Sequence, residues 1–174
     1  MKIFITNLGR YNEGYLVGKW VKLPVSEDKL NEVLEAIGIN EYYEEYFITD
    51  YENEIIGIGD VISAYSSVQA LNELAQRLED LSDDEADKLG AVLEYEACRS
   101  VSEVLELLDK LDEFDLLTDV TDDEELGYYY AEEYCCIDIP ESIQPYFDYE
   151  KFGRDVRLQS CCLYTSYGFL LDNR

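Results

Sequence analysis

The segment from Asp109 to Glu133 holds eleven carboxylates and a single lysine, with three consecutive tyrosines at 128–130. Charge at this density has to be presented to solvent, so the segment constrains the fold more than any other: an ordered scaffold must carry it outward. The rest of the chain reinforces the demand, because Asp and Glu total 40 against 13 Lys and Arg, a net charge of −27. Strongly acidic chains poor in apolar residues stay unfolded. Here 47% of residues are apolar, with sixteen tyrosines and six phenylalanines, which is enough to build cores. A chain of 174 residues accommodates one large domain or two to three small ones.

The charge excludes whole classes of partner. It repels nucleic acid and anionic membrane and attracts basic surfaces, so the expected partner is a cationic protein, including one whose own business is nucleic acid. No segment approaches the run of about 18 apolar residues of a membrane helix, and the N-terminal apolar run is too short for a signal peptide, so a cytoplasmic protein is expected. Five cysteines occur, Cys98, Cys135, Cys136, Cys161 and Cys162, with two adjacent pairs and no CxxC. Adjacent cysteines rarely bridge each other and the chain has no histidine, which points to reduced, buried thiols rather than a disulfide framework or zinc site.

Patterning along the chain predicts an α+β fold in three small parts. Residues 1–61 read as an N-terminal α+β domain: a strand at Lys2–Thr6, a long loop NLGRYNEG, and a strand at Tyr15–Leu23 in which Gly18 marks a bulge or close backbone approach. A Ser-capped helix over Ser26–Ile37 follows, stopped by Gly38, then a strand at Tyr46–Tyr51, with Ile55–Ile58 pairing to it or connecting irregularly. Residues 62–112 read as a helical middle domain, with Leu71, Leu74, Leu78 and Leu81 on one face and capping-box patterns at Ser82/Glu85 and Ser100/Glu103. Residues 113–174 read as mixed again. Thr121 or Asp122 caps a helix through EELGYYYAEEY, Pro140 opens a short helix PESIQPYF, Asp148 caps YEKFGRD, and a hairpin turns around Ser166–Gly168.

No catalytic constellation is present. Without histidine the Ser-His-Asp, Cys-His and most zinc arrangements are excluded, no phosphate-binding glycine loop occurs, and carboxylates are so abundant that pairs at any spacing arise by chance. No cofactor and no metal is expected. Asp122–Glu133 places Gly127 and Glu133 at positions six and twelve of a calcium loop, but Leu126 occupies a ligand position. Tyr42–Tyr43 and Tyr128–Tyr130 lack the basic groove that base-stacking platforms need, so half-buried packing is expected for them.

Two segments in the right order resemble the ArdA family of antirestriction proteins. ITNLGRYNEGYLVGKWVKLP matches the family's opening through Tyr11, Asn12, Gly14, Gly18 and Trp20. IDIPESIQPYFDYEKFGRDV resembles its antirestriction motif through Ile139, Pro140, Tyr146, Asp148, Tyr149, Gly153, Arg154 and Asp155. Between them, EEYFITDYE matches an acidic strand segment ending at Asp50 and Tyr51. The YYYAEEYCC run and the CCLYTSYGFLLDNR tail depart from the family's commoner pattern. The resemblance implies an elongated three-domain chain, acting as a homodimer, that mimics DNA and blocks type I restriction-modification enzymes by occupying their DNA-binding groove. The carboxylates expected to stand in for phosphates are Asp109, Asp112, Glu113, Asp115, Asp119, Asp122, Asp123, Glu124, Glu125, Glu132 and Glu133. In the motif, Ile139, Pro140, Tyr146, Phe147, Tyr149 and Phe152 carry too many apolar atoms for charge display. Together with Asp148, Arg154 and Asp155, they form a packed core or a dimer contact that sets the spacing of the charges. The alternative is a general acidic adaptor or chaperone for basic DNA-binding proteins, which would bind unrelated cationic proteins of equal charge equally well.

Overall fold

The computed structural model describes residues 1–55, 57–134 and 139–174. The expectations resting on Ile56, Cys135, Cys136, Ile137 and Asp138 lie outside the described residues. The architecture is mixed α+β, with two small antiparallel sheets, and contacts group the chain into two compact units.

The first unit comprises Met1–Ala86 and Ala97–Asp109. Strands β1 (Lys2–Asn7), β2 (Gly18–Lys22) and β3 (Tyr46–Glu52) pair antiparallel in the order β2-β1-β3. Period-two alternation puts Ile3, Ile5, Val21 and Ile48 in the core. Gly18 marks a close approach: a Cβ there would sit 2.7 Å from the Ile5 carbonyl oxygen and against the Phe4 ring. The loop expected after β1 begins instead as a short helix, α1 (Leu8–Asn12). Its cause is Asn7, which sequence reading treated as a turn residue. Asn7 is fully buried, its Oδ1 accepts the Arg10 N–H at 3.0 Å, and its Nδ2 donates to the Ile37 carbonyl at 3.1 Å. The second strand is accordingly shorter than Tyr15–Leu23. Ile58–Val61 forms a 3-10 turn.

The helices follow their caps. In α2 (Glu27–Ala36), α3 (Val68–Glu79) and α5 (Val101–Leu108), the hydroxyls of Ser26, Ser67 and Ser100 accept the N–H three residues on. At the start of α4 (Asp83–Tyr95) the Ser82 N–H donates to Glu85 at 2.9 Å while the Glu85 N–H donates to the Ser82 hydroxyl at 3.4 Å, a reciprocal box. On α3, Leu71 and Leu74 are buried and Leu78 is half-buried; Leu81, beyond its end, is half-buried too.

The second unit comprises Asp87–Glu96 and Lys110–Arg174. Its sheet, in the order β4-β6-β5, joins β4 (Phe114–Leu117) to the hairpin β5 (Cys162–Thr165) and β6 (Gly168–Asp172), which turns where expected with Thr165 opposite Gly168. Helix α6 (Asp123–Tyr128) runs into a wider π turn at Tyr129–Tyr134, and α7 (Tyr149–Gln159) precedes the hairpin. The helix expected from Pro140 is instead a turn ending in a 3-10 element at Gln144–Tyr146. Pro145 explains the difference, because in the interior of a helix it supplies no N–H and its ring clashes with the preceding turn. Val120, Leu126 and Phe169 form a buried cluster with Leu117, Tyr129, Tyr130 and Tyr164 packed around it.

The C-terminal residue closes this unit. Arg174 donates to Asp172 at 2.7 and 2.8 Å, pairs with Glu96, and lies over the Phe114 ring at 4.6 Å. Those bonds hold the Asp172 carboxyl at about 2, below its ordinary value. A carboxyl with a depressed folded-state pKa contributes stability that is present above its unfolded value, about 4, and is lost as pH falls through the folded value. The gap in thermal stability between the parent and Asp172→Asn should therefore be constant above about pH 4 and close between pH 4 and 2. A gap that persists unchanged to pH 2 would show that the carboxylate charge contributes nothing.

Candidate functional site

The acidic segment and the C-terminal motif meet where α6 crosses α7, and two glycines set the distance. A Cβ on Gly127 would fall on the carbonyl of Tyr149 and 3.1 Å from the Gly153 nitrogen. A Cβ on Gly153 would fall on the Asp123 carbonyl and 2.6 Å from the Gly127 nitrogen. The obstacles are backbone on both sides, so no side-chain rotation relieves them, and only glycine permits this crossing. Gly127, which calcium-loop spacing had singled out, is buried in a helix, as is Leu126 beside it. Sequence reading named Gly153 only through the motif; two glycines inside helical patterns were the available signal for a packing contact.

Each helix is begun by its own acid. Asp122 Oδ1 accepts the N–H groups of Glu124 and Glu125, both at 2.9 Å, and Glu125 Oε2 accepts the N–H and hydroxyl of Thr121 at 2.8 Å. Asp148 Oδ1 accepts the Lys151 N–H at 3.0 Å. Acids in the first turn also complement the helix dipole.

Asp123 differs from its neighbours. Its side chain is 20% exposed and receives Arg157 through both oxygens, Nε at 2.7 Å and Nη2 at 3.0 Å, together with the Tyr164 hydroxyl at 2.9 Å. The Arg157 bonds depress the Asp123 pKa, with Tyr164 adding to the effect. Burial and the same bond push the Tyr164 hydroxyl up. This strut ties α6 to α7 and to β5. A second tie runs from Tyr149, 7% exposed, whose hydroxyl donates to Glu132 at 2.7 Å and is pushed up to about 12 by that bond. The Tyr128 ring stacks on Tyr149 at 3.8 Å with 8° between planes, and Phe147 packs edge-on against Tyr149 and Phe152.

Among the eleven carboxylates, Asp109, Asp112, Glu113, Asp115, Asp119, Asp122, Glu124, Glu125, Glu132 and Glu133 are exposed and Asp123 is partly buried. Asp109 lies in the first unit, paired with Arg77 at 2.7 Å, and the other ten lie in the second. Asp115 accepts from Asn173 at 2.8 Å. The apolar motif residues divide in two. Tyr149 is buried with Phe147 and Phe152 packed around it and Ile139 half-buried, whereas Pro140 is exposed and Tyr146 is 83% exposed. Arg154 and Asp155 are exposed on α7. The tyrosines expected to be half-buried split likewise. Tyr43, Tyr129 and Tyr130 are half-buried, Tyr42 is exposed, and Tyr128 is exposed despite its stacking partner.

Against the expected burial of the thiols, Cys161 is exposed and Cys98 and Cys162 are half-buried; the partial burial of Cys162 raises its pKa. Among the described residues, no group of three or more His, Cys, Asp or Glu side chains could hold a metal ion, and no helix is long and apolar enough to cross a membrane.

Fold and site together define an acidic α+β protein that presents ten exposed carboxylates of the 109–133 segment on an ordered backbone. The model of the family described as antirestriction protein (ArdA) matches residues 3–170, and the chain belongs to that family. No curated protein gives a significant match. Membership implies an antirestriction function, in a family that is not catalytic, and with it an interaction with restriction-modification enzymes.

Proposed function

We propose that this protein inhibits type I restriction-modification enzymes by occupying their DNA-binding groove as a mimic of B-DNA in charge and shape, acting as an elongated homodimer of three-domain chains. The observation that carries the reading is the exposure of ten of the eleven carboxylates in 109–133 on an ordered backbone. Disordered acid would lose entropy on entering a groove; acid held on an ordered backbone has already lost much of it. Duplex DNA carries one charge per about 1.7 Å of axis, so a net charge of −27 equals that of roughly 46 Å of duplex, and a dimer that of about 27 base pairs. That is enough to neutralise a groove built for a bipartite site. Displaced counterions supply affinity as they do for phosphates, with no base edges to read, so enzymes of different recognition sequence should all be inhibited. The division into 1–61, 62–112 and 113–174 is part of the same reading; α3, α4 and α5 fill its middle along the chain, with most of α4 grouped by contacts with the second unit. The exposed Pro140, Ile143 and Tyr146 favour this part of the motif as the dimer contact.

The test is competition. Purified protein should displace duplex DNA from a type I methyltransferase core, and the logarithm of its apparent affinity should fall linearly with log salt concentration. No displacement at micromolar protein and low salt would sink the proposal. Equal affinity for unrelated cationic proteins would favour the adaptor reading. Because the field is collective, single neutralisations such as Glu124→Gln should change inhibition by less than about threefold, the worth of one exposed ion pair. Neutralising six of the exposed acids should weaken it stepwise. A single exposed acid whose loss abolished inhibition would contradict the distributed field.

A further inference from the structure

A cavity of about 460 Å³ opens beside the acidic helix, and its lining is not that of a plain charged surface. Leu116, Leu117 and Val120 supply apolar contact, Tyr128 and Tyr129 supply aromatic rings, and Asp119, Glu125 and Glu133 supply carboxylates. The cavity is open to solvent and has room for a long side chain. Tyr149 stacks on one face of Tyr128, which remains 50% exposed and lines the cavity. Asp119 makes no hydrogen bond or ion pair among the described residues, and Glu125 uses Oε2 for Thr121.

We infer that this cavity is a socket for an arginine side chain of the partner protein. The inference rests on the reading of the protein as an inhibitor of a DNA-binding enzyme and adds a component that a phosphate array lacks. A phosphate mimic needs carboxylates alone; rings and an apolar lining recognise the stem and plane of a cation. A guanidinium is planar, stacks on tyrosine, and donates five N–H groups to carboxylates in a fixed fork, while its aliphatic stem suits the leucine and valine surface. An ammonium has the charge without the plane, and a neutral amide the reverse.

The experiment titrates the full chain with N-acetylarginine amide and follows backbone amide resonances, with no enzyme present. Saturable shifts confined to Leu116–Val120 and Tyr128–Tyr129 are expected. The citrulline analogue, which keeps the shape and loses the charge, should leave them unmoved, and the lysine analogue should bind at least about threefold more weakly. Asp119→Asn should weaken arginine binding about threefold, the worth of one partly exposed pair, whereas Asp112→Asn, the same charge change outside the cavity, should not. Shifts spread evenly over the exposed acids, equal binding of the lysine analogue, or equal effects of the two substitutions would each overturn the socket. None of those results touches the groove-occupancy reading, which stands or falls on the DNA competition. Failure of that competition with the titration intact would leave the cation site without its proposed partner.

Discussion

Replacing Gly153 by alanine should destabilise the α6–α7 crossing and weaken inhibition while the first unit keeps its amide protection. Two effects oppose each other. Alanine in a helix interior is favoured over glycine by about 1 kcal/mol, which alone would stabilise α7. Against this, the new Cβ falls on the Asp123 carbonyl and 2.6 Å from the Gly127 nitrogen. Overpacking costs about 1–3 kcal/mol when side chains can move aside. Here the obstacle is backbone, so the top of that range or beyond applies, and the clash wins by about 2 kcal/mol or more. For a chain of this size that lowers the melting temperature by roughly 5–8 °C. Gly127→Ala, which meets the Tyr149 carbonyl, should behave alike. The double variant should cost less than the sum, since one separation of the helices accommodates both. Calorimetry with hydrogen exchange reads all three, and a melting temperature equal to or above the parent's for either single variant would refute the account of the crossing.

The second large effect separates charge from scaffold, because the two predict opposite signs. Arg157→Ala makes the protein one unit more negative. If inhibition depended on net charge alone, it would hold or improve. The geometry predicts the reverse: Asp123, 20% exposed, would lose both Arg157 bonds and keep only the Tyr164 hydroxyl. A pair at this depth lies between the exposed case, below about 1 kcal/mol, and the buried case, about 3–5 kcal/mol. A cost of about 1–2 kcal/mol is expected, with the direction of α6 loosened and inhibition reduced by about tenfold, more than any single exposed acid would cost. Asp123→Asn removes one negative charge and should reproduce only part of the loss, and the double variant should show strong coupling between the two positions. Competition against duplex DNA at fixed salt measures it, and tighter binding by Arg157→Ala would establish net charge as the controlling quantity.

Much of the fold was legible beforehand because its causes are local. Ser26, Ser67, Ser82 and Ser100 announce helices through hydroxyls that bond three residues ahead, and the alternation of Ile3 and Ile5 announces a strand. The family was legible as well, in two short segments that the match over residues 3–170 encloses. Where the reading went astray, a partner distant in sequence was responsible. Asn7 looked like a turn residue because its second bond goes to Ile37, and β4 escaped notice because four residues acquire strand character only by pairing with β6. Pro145 was an exception, a local signal against a longer helix that the capping argument at Pro140 overrode.

By itself, then, the sequence determined that this protein is acidic, ordered, built of capped helices and short strands, and a member of an antirestriction family. The acidity, the order and the local elements follow from composition and from interactions within a few residues, and the family follows from the segments that match it. Only the tertiary structure decided which carboxylates stand in solvent and which one is a strut. It also decided that two glycines, not the aromatic residues, set how closely the acidic helix and the motif approach. Those outcomes depend on which backbone passes within 3 Å of which, and no spacing along a chain encodes that until the chain has folded.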